Sequence, residues 1–97
     1  MERGGSIYIM TNTFNTILYT GVTSDLQSRI WQHKNSEFPK SFTSKYRCYK
    51  LVYFMFFPTI EDAIAEEKRI KGGSRQQKIN LIIGLNPNWK DLFDELD

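Results

Sequence analysis

The first strong pattern along the chain is a two-residue alternation. In SIYIMTN, residues 6–12, Ile7 and Ile9 alternate with Tyr8 and Met10, which is the period of a β-strand. The polar, asparagine-rich stretch from 11 to 16 reads as a turn and residues 17–22 as a second strand, so the two are expected to form an antiparallel hairpin. A third strand is expected over 48–57 (CYKLVYFMFF). Its run from Leu51 is nearly all apolar, the mark of a central strand covered on both faces, and Pro58 ends it.

Three helix starts carry a side chain able to satisfy orphan backbone amides: Ser24 with Gln27, Thr59 with Asp62, and Ser74 with Gln77. The helices are expected over 25–34, 60–71 and 75–83. Gly72-Gly73 supplies a left-handed stop after the second and Gly84 ends the third. Asn86-Pro87 breaks the chain before a short acidic helix over 89–97, and residues 35–47 read as a polar loop. Repeats and linkers are not seen, so 1–97 is expected to be one domain with its core at about 6–93.

Composition narrows the class without naming a function. A chain of 97 residues that is 40% hydrophobic and 25% charged can bury a single core. No apolar run approaches the roughly 20 residues of a membrane span, and the N-terminus lacks a signal-peptide pattern. The single cysteine, Cys48, excludes an intrachain disulfide; with His33 the only histidine, a structural zinc site is not expected, and a reducing cytoplasm fits best. The net charge of +2 decides nothing, but its distribution matters. Lys68, Arg69, Lys71, Arg75 and Lys78 fall in a segment without acids, Lys40, Lys45, Arg47 and Lys50 cluster earlier, and the chain ends with Asp91, Asp94, Glu95 and Asp97. The bases form either a phosphate-binding footprint or a solvated helix face.

Two helices place polar groups where apolar ones belong. Projected at about 100° per residue, Ile60, Ala63, Ile64 and Ile70 form a stripe with Glu67 in its middle, while Glu66 points away. A carboxylate facing a core needs compensation. That compensation is an ion pair, for which Arg29 is a candidate, or a hard cation such as Mg²⁺ that accepts one carboxylate and completes its shell with water. On the first helix, Leu26 and Ile30 define the apolar side, Arg29 and His33 lie along its edge, and Trp31 projects opposite. Arg29 and His33 are either semi-buried structural groups or, with Glu67, Tyr8 and Tyr19, parts for phosphodiester hydrolysis. The set offers a fixed positive charge, a titratable ring, a metal-binding carboxylate and phenols that can lose a proton.

In sequence order these residues resemble the GIY-YIG nuclease family. Its two strand tripeptides are matched by Ser6-Ile7-Tyr8 and Tyr19-Thr20-Gly21, its arginine and following histidine or tyrosine by Arg29 and His33, and its A-x-x-x-E-x-x-I-K pattern by the segment from Ala63 to Lys71, which selects Glu67. The ending from Asn86 to Leu92 is similar to small stand-alone bacterial members. Ser6 and Thr20 depart from the tripeptides, and Met55 stands where close relatives carry an acid. The resemblance implies an α/β (α+β) fold, a three-stranded antiparallel sheet flanked by helices. It also implies a divalent-metal-dependent endonuclease acting on DNA, with Glu67 holding Mg²⁺ or Mn²⁺, Tyr8 or Tyr19 as general base, Arg29 on the phosphate, and His33 orienting a tyrosine or shuttling a proton. DNA repair is the context expected, with no organic cofactor or membrane and with a partner protein possible as the source of specificity. The rival expectation is a non-catalytic module, binding nucleic acid through residues 68–78 or docking on a protein through the acidic tail.

Overall fold

The hairpin forms as the alternation predicts. In a computed structural model, which describes residues 4–96, β1 (Gly5–Thr11) pairs antiparallel with β2 (Leu18–Thr23), Tyr8 opposite Gly21 and Met10 opposite Tyr19. Residues 1–3 and Asp97, the ends of the expected domain and acidic tail, lie outside the described residues. Asn12 closes the turn: its Oδ1 accepts the backbone N–H of Thr16 at 2.8 Å and of Ile17 at 3.1 Å.

β3 (Lys50–Phe57) pairs antiparallel with the other side of β1, giving the order β2-β1-β3. The central strand is therefore β1, which corrects the expectation for β3. All of β1 is buried, and its two faces meet different helices. Ile7 and Ile9 pack with Val52, Ala63, Ile70 and Ile82, beneath α3 (Ile60–Lys71) and α4 (Arg75–Leu85). Tyr8 and Met10 pack with Ile30 of α1 (Leu26–Lys34), Cys48, Leu51 and Leu92.

The apolar run of β3 has a different cause from burial on both faces. Its register with β1 shifts between Ile9 and Met10, so Val52 and Tyr53 both join the Ile9 side; beyond that irregularity Met55 and Phe56 are exposed. The C-terminal segment satisfies the backbone groups there. Asn86 Nδ2 donates to the Val52 carbonyl at 3.2 Å and to the Lys90 carbonyl at 2.8 Å, and Asp91 Oδ1 accepts the Leu51 N–H at 3.2 Å. Asn86→Ala leaves the buried Val52 carbonyl and the partly buried Lys90 carbonyl without their donor and is expected to lower unfolding free energy by about 1–3 kcal/mol, measured by urea denaturation. An unchanged midpoint would show that water replaces the side chain.

The helix ends differ from expectation in detail. Thr23 Oγ1 accepts the Asp25 N–H at 3.1 Å, so the chain turns one residue later and Asp25, not Ser24, caps α1 through the Ser28 N–H. Thr59 and Ser74 cap α3 and α4 as expected, the latter with the full reciprocal Gln77 contact. No described glycine has positive φ: Gly72 is right-handed (φ −76°), and α4 runs through Gly84 to Leu85. The stretch read as a loop contains α2 (Phe42–Lys45), capped by Ser41, and the acidic end is a single 3₁₀ turn, Leu92–Glu95, held by buried Leu92. No helix among the described residues is long and apolar enough to cross a membrane.

Candidate active site

On the α1 face of the sheet, Tyr8 extends from the central strand and Tyr19 from β2, with ring centroids 6.2 Å apart. His33, at the end of α1, completes the group at 5.7 Å from Tyr8 and 5.8 Å from Tyr19. Gly21 makes room for it. A Cβ there would lie 2.5 Å from Cζ and Oη of Tyr8, so any side chain would push the phenol aside. The glycine serves close packing, with no special backbone angle.

Tyr8 Oη lies 3.0 Å from His33 Nε2, and His33 Nδ1 lies 2.7 Å from Thr43 Oγ1, which is 3.1 Å from Ser41 Oγ. A neutral imidazole donates from one nitrogen and accepts at the other, so the chain runs in one of two directions. Either Tyr8 O–H donates to Nε2 and Nδ1–H to Thr43, or Thr43 O–H donates to Nδ1 and Nε2–H to Tyr8.

Burial dominates the electrostatics. It raises the Tyr8 phenol above its ordinary value, helped by Tyr19, while the Arg29 guanidinium beside it pulls the other way without prevailing. Burial and then Arg29 lower His33 from 6.5 to about 4, so the ring is neutral at physiological pH. The groups facing it are Tyr8, Tyr19, Thr43 and Arg29. Since the folded value lies below the unfolded one, the unfolded chain protonates first as pH falls. The stability due to burying neutral His33 is therefore present above pH 6.5 and lost as pH falls toward about 4, by on the order of 3 kcal/mol. His33→Tyr should remove this part of the acid dependence, read as the difference in Tm between the two proteins across that range. Parallel curves would overturn the assignment.

Glu67 lies on α3, which packs onto β1 and β2; the helix joins the sheet core on the Ile7–Ile9 side through Ala63 and Ile70. Its side chain is 13% exposed and Oε2 pairs with Lys71 Nζ at 3.1 Å, so Lys71, not Arg29, supplies the ion pair. Among the described residues no hydrogen bond or ion pair joins Glu67 to the tyrosines or His33. The apolar stripe is narrower than projected, because Ile64 is exposed. Glu66 does not point away: it is partly sheltered, folded onto Arg69 near Tyr53 with two contacts of 2.6 Å. Among the described residues no group of three His, Cys, Asp or Glu stands ready for a metal. A lone sheltered carboxylate fits Mg²⁺ or Mn²⁺ in the manner hard cations allow, with water and phosphate oxygens as the other ligands.

The basic segment 68–78 is only partly free. Arg69 and Lys71 are engaged by Glu66 and Glu67, and Arg75 donates to the Asn15 carbonyl at 3.4 Å; Lys68 is exposed and Lys78 half-buried. Sequence reasoning missed Thr43 and Ser41, which fix His33 from α2. The available signal was a serine three residues before Ser44, the spacing of a cap.

The family model described as the GIY-YIG catalytic domain matches residues 4–80, a span containing Tyr8, Tyr19, Arg29, His33 and Glu67. A UPF0213 protein of Staphylococcus saprophyticus is 42% identical over 65 residues, 67% of this chain and 78% of the relative. One from Clostridium perfringens is 43% identical over 65 residues, 67% and 69% of the two chains. The solution NMR structure of a UPF0213 protein from Bacillus halodurans matches 91% of this chain and 92% of its own, with a TM-score of 0.57 at 26% identity.

Proposed function

The chain belongs to the GIY-YIG catalytic-domain family, and on that premise we propose that it is a divalent-metal-dependent endonuclease that hydrolyses phosphodiester bonds in DNA. The observation that carries this reading is the buried Tyr8–His33–Thr43 chain, with Tyr19 and Arg29 beside it.

The two tyrosines divide the work according to burial. Tyr8 is fully buried and held as a phenol; Tyr19 is half-buried on an edge strand, where solvent reaches it. Tyr19, as phenolate, accepts the proton of the attacking water, and Tyr8 donates its O–H toward Tyr19. That donation requires the second direction of the chain, Thr43 O–H to His33 Nδ1 and Nε2–H to Tyr8. Arg29 binds the phosphate oxygens on which negative charge grows. Glu67 is the residue that would hold Mg²⁺ or Mn²⁺. A bound divalent ion supplies Lewis-acid stabilisation of the phosphate and the leaving oxygen. Lys68, Arg69, Lys71, Arg75 and Lys78 line the proposed DNA side, those in intrahelical pairs exchanging carboxylate for phosphate.

The test is single-turnover cleavage of plasmid, nicked and branched DNA with and without Mg²⁺, comparing Tyr19→Phe with Tyr8→Phe. Tyr19→Phe is expected to lose about 10²-fold in rate. Tyr8→Phe should lose less. The opposite ranking would make Tyr8 the base. Binding without cleavage by the wild-type protein would favour the non-catalytic module.

A further inference from the structure

α2 presents something the nuclease reading does not use. Phe42 stacks on Tyr19 with centroids 5.7 Å apart and planes at 28°, and Tyr46 follows at 4.6 Å from Phe42. The inner side of this stack touches the catalytic group, because Tyr19 meets Tyr8 and His33. Both rings also meet solvent: Phe42 is 45% and Tyr46 40% exposed. Packing against Tyr19 does not require either ring to face water. Lys45 Nζ stands 5.5 Å from the Tyr46 centroid, and Lys40 and Arg47 are exposed on the same short segment.

We propose that Phe42 and Tyr46 form a base-stacking subsite that takes an unpaired nucleobase of the nucleotide next to the scissile phosphate, with Lys40, Lys45 and Arg47 following its backbone. The inference rests on the nuclease reading for its position beside the reacting phosphate. Its chemistry is independent of that reading. An aromatic face gains by stacking on any base, whatever its identity, and flanking cations supply the affinity for phosphate. A base inside a duplex is stacked on both sides and offers only its edges, so this platform selects strands with a base out of the stack, whether single-stranded, at a flap, or turned out of a helix. The stack is also continuous with Tyr19: a base lying on Phe42 is one ring removed from the proposed general base. The subsite thus supplies substrate selection from α2 itself.

Binding in EDTA separates this from catalysis. The probes are a labelled single-stranded oligothymidylate, an abasic strand of the same length and charge, and a blunt duplex, read by fluorescence anisotropy. The wild-type protein is expected to bind the thymidylate strand about tenfold or more tightly than the abasic one. Phe42→Leu, which keeps apolar bulk against Tyr19 but removes the aromatic face, should erase most of that preference, and Tyr46→Leu part of it. Phe42→Trp should keep the preference and show indole quenching by the thymidylate strand alone. Lys45→Gln should weaken both strands alike. Thermal melts establish that each variant is folded, and Phe42→Trp reads the same face if Phe42→Leu is not. Equal wild-type affinity for the two strands, or a preference that survives in Phe42→Leu, overturns the subsite. Preference for the duplex overturns it as well, as does binding of an apolar peptide on these rings without any base preference. Cleavage with Mg²⁺ is scored separately. Cleavage without base preference sinks the subsite alone, whereas base preference without cleavage supports the subsite and sinks the nuclease reading.

Discussion

Glu67→Gln is expected to abolish Mg²⁺-dependent cleavage, to below about 1% of the wild-type rate, while leaving the fold standing. Glutamine keeps the size and packing of the side chain and removes the charge that a hard cation needs. The structural loss is small: the pair with Lys71 is an i,i+4 contact on a helix surface, worth a few tenths of a kcal/mol, and Lys71 stays in solvent. The carboxylate is sheltered, so removing its charge also relieves a desolvation cost. The net change in stability should lie within about 1 kcal/mol of zero. Glu66→Gln is the control, because its carboxylate is taken by Arg69 through two short contacts and is held below the usual carboxylate range by them. That variant should cut normally. Single-turnover rates and melting curves on both proteins settle the matter, and the metal assignment is lost if Glu66→Gln is the inactive one. Mg²⁺ titration of cleavage should show the wild-type protein saturating and Glu67→Gln flat throughout.

Much of the candidate site was legible because period and spacing carry it. The alternation that puts Ile7 and Ile9 on one face necessarily puts Tyr8 on the other, and β2 follows the same rule, with Leu18 and Val22 beneath α3 and Tyr19 and Gly21 toward α1. Arg29 and His33, four apart, share one side of α1 whatever else the chain does. The strand order was less legible. Leu51 to Phe57 is apolar enough for a central strand, yet the run reflects an irregularity that turns Val52 and Tyr53 to one side and an exposed far end. Hydropathy cannot separate a face covered by helices from a face left open. The loop reading of 35–47 failed for a similar reason: α2 is four residues long, too short for a periodic signal, and its existence depends on Ser41 and on the bond from Thr43 to His33. The partner of Glu67 was beyond projection altogether. A helical wheel gives the direction of a side chain but not whether a lysine one turn on will fold back to meet it.

The Lys71 pairing of Glu67 also changes the role left for Arg29. From sequence alone, an arginine beside an apolar face has a structural explanation, compensation of a buried carboxylate. In the structure Lys71 fills that role, and Arg29 instead stands half-buried beside the Tyr8 phenol, opposing the rise of Tyr8 and adding to the fall of His33. Among the described residues it makes no ion pair with a carboxylate, so its guanidinium can turn both arms of its planar fork to phosphate oxygens. Arg29→Ala is therefore expected to lose on the order of 10³-fold in cleavage rate with its Tm nearly unchanged. Arg29→Lys keeps the charge but not the fork; it should retain most of the DNA affinity and still lose about 10²-fold in rate. The two variants should differ in pH response as well. Without the cation, His33 loses one of the two influences that depress it, so its folded value lies nearer 6.5 and the stability lost on acidification should be smaller in Arg29→Ala than in Arg29→Lys. Rate, affinity and melting temperature measured on the same preparations distinguish the roles. A sharp fall in Tm with normal cleavage by the folded fraction would make Arg29 a structural residue and leave the phosphate without its proposed ligand.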